Sequence, residues 1–367
     1  NLRCNYCLRN LEQEENCIST EKLRDIGKFI TTYCDEYKIA NISVQAWGGE
    51  PLLEKNKIIA LTKFITPQKT KVHYSIETNA TLLTNDVIEE LYKNHIGIGI
   101  SIDGDRKCHD LQRTFVSGKG SYDTVKKNLL QAQRYYKNKI GTITTITKQT
   151  AVHIEKIIEH LVLDLHISNI KLNFVHASTY THGQNQCLNT QEIADTELRI
   201  LYKIIELQER GYDVMEHNIF IKLKNLLFRE YADICLSCGC CGGKKMIVFD
   251  MDGNIYPCEL TDDASFVIGS IYKKESLIEQ IKMTIDKDKA FFKMKKAVEC
   301  EKCYWKFFCR GGCTVRALSE KRQMEVIDID HIECAINQVL YPALMELVLR
   351  KPHIVNQMLG EDLLVDE

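Results

Sequence analysis

Five β-branched runs are spaced along the first 215 residues: NISVQAW (41–47), KVHYSIET (71–78), IGIGISID (96–103), IGTITTIT (140–147) and IKLNFVH (170–176). They read as strands, because branched side chains fit a pleated surface better than a helix. Amphipathic stretches at 20–37, 55–66, 84–94, 121–137, 150–165 and 190–210 read as helices. Thr84, Ser121 and Thr190 stand where capping residues open such helices. Strands alternating with helices predict parallel βαβ units and an α/β fold. The first helix has no strand before it, so the pattern predicts a further strand upstream of Asn1. In barrels of this kind, ligand chemistry sits in the loops at the C-terminal ends of the strands.

From Cys235 the pattern changes. Glycine and cysteine punctuate short segments, and MIVFDMDGNIYPC (246–258) reads as a hairpin turning at Asp252–Gly253. The segment 333–350 has apolar spacing suited to packing. The expected division is a barrel over 1–215, a bridge over 216–234, a cysteine-rich domain over 235–345 and a C-terminal helix or tail over 346–367.

A chain of 367 residues with 44% hydrophobic and 27% charged residues can bury one large α/β core and a smaller one. A net charge of −2 argues against a dedicated nucleic-acid or anionic-membrane binder. No apolar run approaches the ~20 residues of a membrane span, and no signal peptide is visible. The expected location is cytoplasmic.

Ten of the sixteen cysteines lie from Cys235 onward. Disulfide scaffolds are small and secreted, whereas clustered cysteines in a large chain bind metal. Cys300, Cys303, Cys309 and Cys313 form C-x2-C-x5-C-x3-C, followed by Cys334 and preceded by Cys235, Cys238, Cys240, Cys241 and Cys258. One zinc on the four-cysteine run would leave the others unexplained. Two cubane clusters need eight thiolates, and the region offers ten. At the other end, the Cys4–Cys7 pair of NLRCNYC suits zinc, redox chemistry or part of an iron–sulfur site. Cys17, Cys34, Cys108 and Cys187 lie singly and read as packing residues.

The spacing from Cys241 through Gly253-x4-Cys258 to Cys334 resembles the SPASM domain of radical S-adenosylmethionine (SAM) enzymes. The resemblance implies two auxiliary [4Fe–4S] clusters, one on Cys235, Cys241, Cys258 and Cys313, the other on Cys300, Cys303, Cys309 and Cys334. Cys238 or Cys240 could replace either of the first pair. NLRCNYC then resembles the C-x3-C-x2-C signature of the radical SAM family without its first residue, which would stand immediately before Asn1. Cys4 and Cys7 would be two of three thiolates, leaving one iron open to S-adenosylmethionine.

Further motifs resemble the same family and follow predicted strands. WGGEP (47–51) is similar to its GGEP motif, whose backbone, here that of Gly48, Gly49 and Glu50, would receive the methionyl amine. Asn79 in ETNAT, Ser101 and Asp103 in SIDG, and Tyr6 facing the adenine would complete the SAM site. His109-Asp110 and Arg113 continue a pattern of the peptide-modifying branch, with Arg113 either on a carboxylate or in a surface ion pair.

The resemblance implies a partial (β/α)6 TIM-like barrel, a 5′-deoxyadenosyl radical, and hydrogen abstraction from a peptide or protein substrate. It also implies a reductant such as flavodoxin or ferredoxin. Glu259 in YPCEL stands where the sulfatase-maturing branch carries an aspartate base. That departure puts a ribosomal-peptide maturase forming thioether or other crosslinks first. Sulfatase maturation, Cys or Ser to formylglycine, comes second, and a non-catalytic iron–sulfur peptide-binding protein third.

Overall fold

The computed structural model describes residues 1–7, 17–137, 139–176, 185–229, 240, 242–261, 264–286, 298–319 and 329–360. Six strands, β1 (Asn41–Ala46), β2 (Lys71–Thr78), β3 (Ile96–Ser101), β4 (Gly141–Ile146), β5 (Asn169–Phe174) and β6 (Met215–Glu216), form one parallel sheet in sequential order. An order without reversal builds a barrel wall, where a doubly wound sheet would switch direction at its middle.

The helices follow the same rhythm: α1 (Thr20–Glu36), α2 (Lys55–Phe64), α3 (Asn85–Lys93), α4 (Arg106–Gln112), α5 (Tyr122–Tyr136), α6 (Ile154–Glu159), α7 (Thr190–Glu209) and α8 (His217–Phe228). Ile96, Ile98 and Ile100 of β3 are buried in the core that packs the helices onto the sheet. Each such side chain contributes about 1.5–3 kcal/mol of burial.

Some local readings change. The cap of α7 is Asn189, one residue before Thr190, in a capping box with Glu192. Asparagine accepts from the Glu192 N–H at 2.9 Å while Glu192 reaches back to the Asn189 N–H at 2.8 Å, closing two orphan donors at once. The single helix expected over 150–165 is broken into a short turn, α6 and a π turn at His160–Asp164. β6 has only two residues, too few for a periodic signal. It is held by Glu216, which accepts from Leu172 N of β5 and from Ile219 N at the start of α8.

A second sheet, β7 (Val248–Phe249), β8 (Asn254–Tyr256) and β9 (Gly269–Ser270), is antiparallel. Its β7–β8 turn needs Gly253, with φ +80° and no room for a Cβ beside Ile271 and Tyr272. The sheet and α9 (Leu277–Asp286) form a small core of Ile255, Ile268 and Leu277 against Phe29 and Tyr33 of α1. Phe29 meets Phe249 edge-on at 5.8 Å, and Lys22 pairs with Asp252 at 2.7 Å. Thus the helix that follows the NLRCNYC end also carries the hairpin that ends at Cys258.

Helices α10 (His331–Arg350) and α11 (Pro352–Leu359) belong to the barrel core through Leu340, Leu344, Leu347, Ile354 and Val355. The expected boundary at 345/346 therefore falls inside α10. By length and composition α10 is apolar enough to cross a membrane, which the sequence reading did not anticipate. Its inner face is instead a packing face, and it carries buried Glu333 and Asn337.

Candidate active site

The C-terminal ends of β1, β2 and β3 deliver WGGEP, TNAT and SIDG to one edge of the sheet. NLRCNYC lies across that edge. Arg3 N donates to Thr114 O at 2.8 Å, Asn5 N to Gln112 O at 3.0 Å, and Asn5 Nδ2 to Leu111 O at 3.1 Å. At its start, Asn1 Nδ2 donates to Thr81 Oγ1 at 2.7 Å and Asn79 Nδ2 donates to Asn1 Oδ1 at 3.0 Å. The Cys4–Cys7 segment closes as a turn, Cys7 N donating to Cys4 O at 3.2 Å. Both cysteines are half-buried. Burial raises the Cys4 thiol's pKa, a tendency that Arg113 beside it partly offsets.

Asp103 is the centre of this arrangement and is fully buried. Its Oδ2 accepts from Tyr6 Oη at 2.7 Å, Gln112 Nε2 at 2.9 Å and Arg113 Nε at 2.8 Å. Its Oδ1 accepts from Thr145 N at 2.9 Å. The expected contact to ribose or carboxylate is therefore corrected: Asp103 points inward and spends its acceptors on the protein. Arg113 is corrected likewise, being neither a surface pair nor an open carboxylate site. Burial works against its charge, but Asp103 outweighs that and raises its pKa. Its guanidinium stands 5.4 Å over the Tyr6 ring, which is itself buried. One face of Tyr6 is thus already taken.

Gly104 ends SIDG with φ +98°, and a Cβ there would sit 2.7 Å from Ile157. Only glycine lets the chain turn so sharply against α6. His109 follows, buried, its Nδ1 accepting from Asp103 N at 3.2 Å. Ser121 Oγ donates to Arg113 O, so His109 Nε2 must donate to Ser121 Oγ across 2.9 Å. The ring is neutral with its proton on Nε2. Burial lowers its pKa to about 4.

Glu50 also faces inward. Its Oε1 accepts from Thr78 Oγ1 at 2.6 Å and Leu52 N at 3.1 Å, and its Oε2 from Asn79 N at 2.8 Å. A carboxylate so committed positions the loop whose backbone is the expected contact. Asn79 Oδ1 is engaged with Thr81 N and Oγ1. Gly48 and Gly49 differ: a Cβ at either would meet nothing within 4 Å, so their backbone borders open space that a ligand's polar end can approach. Ser101, half-buried, ends β3 on the face opposite the helix-packed isoleucines.

That opposite face is polar, and the sequence reading missed it. Ser75 and Glu77 of β2, Ser101 of β3, and Lys171 and Asn173 of β5 alternate with buried helix-facing residues. Gln45 of β1 pairs with Ser75 on the same face, and Ile143 of β4 is an apolar residue among them. A closed parallel barrel would read as continuous apolar runs. The polar phase of the alternation was the available signal of an open lumen.

In the cysteine-rich part, Cys300, Cys303, Cys309 and Cys334 line one cavity of about 140 Å³. Cys313 is not among them. Cys258 lies within electrostatic reach of both Cys313 and Cys240, and burial pushes the Cys258 thiol up to about 12. Cys240 adopts φ +87°, a strained backbone for a residue with a side chain. Cys235, Cys238 and Cys241 lie outside the described residues. Among the described residues no three His, Cys, Asp or Glu groups converge at single-ion range. The four thiols surround a volume, which suits a polynuclear cluster better than one tetrahedral zinc. Glu259, half-buried, follows Cys258 directly, where Thr261 Oγ1 donates to Cys258 O at 2.6 Å.

Comparison with known proteins agrees with this geometry. Residues 1–161 match the Radical SAM superfamily. A cysteine-type anaerobic sulfatase-maturating enzyme of Clostridium novyi is 26% identical over 323 residues, covering 85% of this chain and 84% of that protein. A radical SAM cyclopropyl synthase of Paramaledivibacter caminithermalis is 23% identical over 368 residues, 94% of this chain and 72% of that protein. Among solved structures, native anSMEcpe with bound AdoMet and the Cp18Cys peptide superposes with a TM-score of 0.80 at 21% identity, covering 98% of this chain and 96% of that one. Residues 1–161 are thus a Radical SAM domain, the domain of a superfamily of enzymes that use a [4Fe–4S] cluster and S-adenosylmethionine.

Proposed function

We propose that this radical SAM enzyme is a sulfatase-maturase-like protein that oxidises a cysteine, or a serine, of a peptide or protein substrate to formylglycine. The carrying observation is similarity to a cysteine-type anaerobic sulfatase-maturating enzyme over 85% of this chain. It reverses the order the sequence suggested, in which Glu259 in place of an aspartate put crosslinking first. Glutamate and aspartate carry the same acid–base chemistry, so this departure does not argue against the maturase reading.

When bound, the SAM-ligated cluster supplies a hydrogen-abstracting 5′-deoxyadenosyl radical. Cys4 and Cys7 would hold that cluster with a third thiolate. Asp103 fixes Tyr6 between those cysteines, and Glu50 fixes the Gly48–Gly49 backbone that would receive the methionyl end. Cys300, Cys303, Cys309 and Cys334 would hold one auxiliary cluster. Cys258 and Cys313 would share the other with cysteines of the 235–241 group, of which Cys240 lies nearest in the described residues. Glu259 takes the proton from the substrate thiol or hydroxyl as its carbon is oxidised. The polar lumen face seats the peptide backbone.

The test uses anaerobically reconstituted enzyme, S-adenosylmethionine, a chemical reductant and a synthetic sulfatase peptide with cysteine or serine at the target position. A hydrazide-reactive aldehyde in the product supports formylglycine formation. A product that lacks the aldehyde and has lost only two hydrogens would instead favour the crosslinking reading. An unmodified peptide beside turnover of S-adenosylmethionine would count against both substrates.

A further inference from the structure

Helix α10 brings more than Cys334 to the four-cysteine cavity. Asn337 and Gln338, about one turn further on, line it as well. Gln338 Nε2 donates to Cys303 Sγ at 3.6 Å and also interacts with the Cys334 thiol. Asn337 stands beside Cys309 in the cavity wall, close enough to favour its thiolate.

Asparagine amides have two chemically opposite ends, and here the surroundings choose between them. Lys222 Nζ donates to Asn337 Oδ1 at 2.6 Å, and Asn337 Nδ2 donates to Glu333 Oε1 at 3.0 Å. With the oxygen held by a cation and one N–H held by a carboxylate, the second N–H is the end left for Cys309. Lys222 is buried and paired with Glu333, and Arg316 is paired with Asp330 at 2.6 Å. These charges balance two against two. The side-chain amides then add to the backbone N–H of Gly311 as neutral donors beside the sulfurs.

Four thiolates suffice to hold a cubane cluster, so the amides are not needed as ligands. An N–H pointed at a ligating sulfur withdraws charge from it and favours the more negative, reduced state. We propose that Asn337 and Gln338 raise the reduction potential of the cluster held by Cys300, Cys303, Cys309 and Cys334, with Lys222 as the positioning residue that orients Asn337. This rests on the reading of that cavity as a cluster site. It adds a role for three residues that bind no iron themselves. It also explains why a lysine and a glutamate are buried together beneath a thiol-lined cavity.

The test is potentiometric titration of the reconstituted holoenzyme, followed by electron paramagnetic resonance, with iron counted on the same samples. Gln338→Met keeps the side-chain length, removes the donor, and lies at an exposed position where folding is tolerant. Asn337→Leu and Lys222→Met are the buried counterparts. The expected result is unchanged iron and a lower midpoint for one auxiliary cluster in Gln338→Met, with a further drop when combined with Asn337→Leu. The S-adenosylmethionine-responsive signal should stay in place. Full iron with unmoved midpoints would overturn the proposal. Loss of about four irons from Gln338→Met would overturn it too, making the amide part of cluster retention. If the unsubstituted enzyme holds no cluster in this cavity, the cavity reading fails first, and its iron count shows that separately.

Discussion

Tyr6 and Asp103, 97 residues apart, are joined by a buried hydrogen bond of 2.7 Å. Asp103 gathers Arg113, Gln112 and the Thr145 backbone at the same carboxylate. One side chain thereby ties the cysteine turn to β3, β4 and α4. Replacing Asp103 by Asn leaves Arg113 buried without its counter-charge, which costs about 3–5 kcal/mol. Thermal unfolding should show that loss, together with iron missing from the Cys4–Cys7 site. A variant with normal iron and an unchanged melting temperature would remove Asp103 from this role.

Glu50→Gln should weaken S-adenosylmethionine binding, because the Glu50 carboxylate holds the loop through Thr78, Leu52 and Asn79. The new amide presents a donor where either the Asn79 N–H or the Thr78 and Leu52 donors need an acceptor. One unsatisfied buried donor costs about 1–3 kcal/mol and releases the Gly48–Gly49 loop. Calorimetric titration with S-adenosylmethionine checks this, and an unchanged affinity would contradict it.

His109 predicts a defined acid limit. Its pKa falls from 6.5 unfolded to about 4 folded, so the unfolded state binds the extra proton between those values. Its contribution is complete above pH 6.5 and is lost as pH falls toward 4, by about 3 kcal/mol in total. Wild type should lose stability relative to His109→Gln over that window. Comparing the two cancels Glu197, which burial raises to about 8 and which acts in the opposite sense. Parallel pH profiles would show that His109 titrates normally.

Glu259→Gln should slow peptide oxidation by about 10²–10⁴, with Glu259→Asp retaining most of the rate. S-adenosylmethionine cleavage without peptide should be the same in all three proteins. An equal loss in the aspartate and glutamine variants would mean that side-chain reach, and not basicity, matters here.

The strands and their order were legible because β-branched runs alternate with amphipathic stretches, and the motifs fall at strand ends as barrel geometry demands. The direction of each carboxylate was not legible. Asp103 and Glu50 sit in the motifs read as ligand-binding, yet both carboxylates accept from backbone donors of the protein itself, which no spacing in the sequence reveals. β6 escaped notice because two residues carry no period. The role of α10 escaped too: its apolar spacing shows that it packs, but only the fold shows that it packs on α7 while holding Cys334, Asn337 and Gln338 to a cavity.

The proposed function requires the cysteines to serve one SAM-binding cluster and two auxiliary clusters. The most direct measurement is iron and acid-labile sulfide on anaerobically reconstituted protein carrying its natural flanking residues, with electron paramagnetic resonance before and after S-adenosylmethionine. Three clusters give about twelve irons per chain and one signal that S-adenosylmethionine alters. Four irons or fewer, or zinc in the cysteine-rich part, would contradict that requirement.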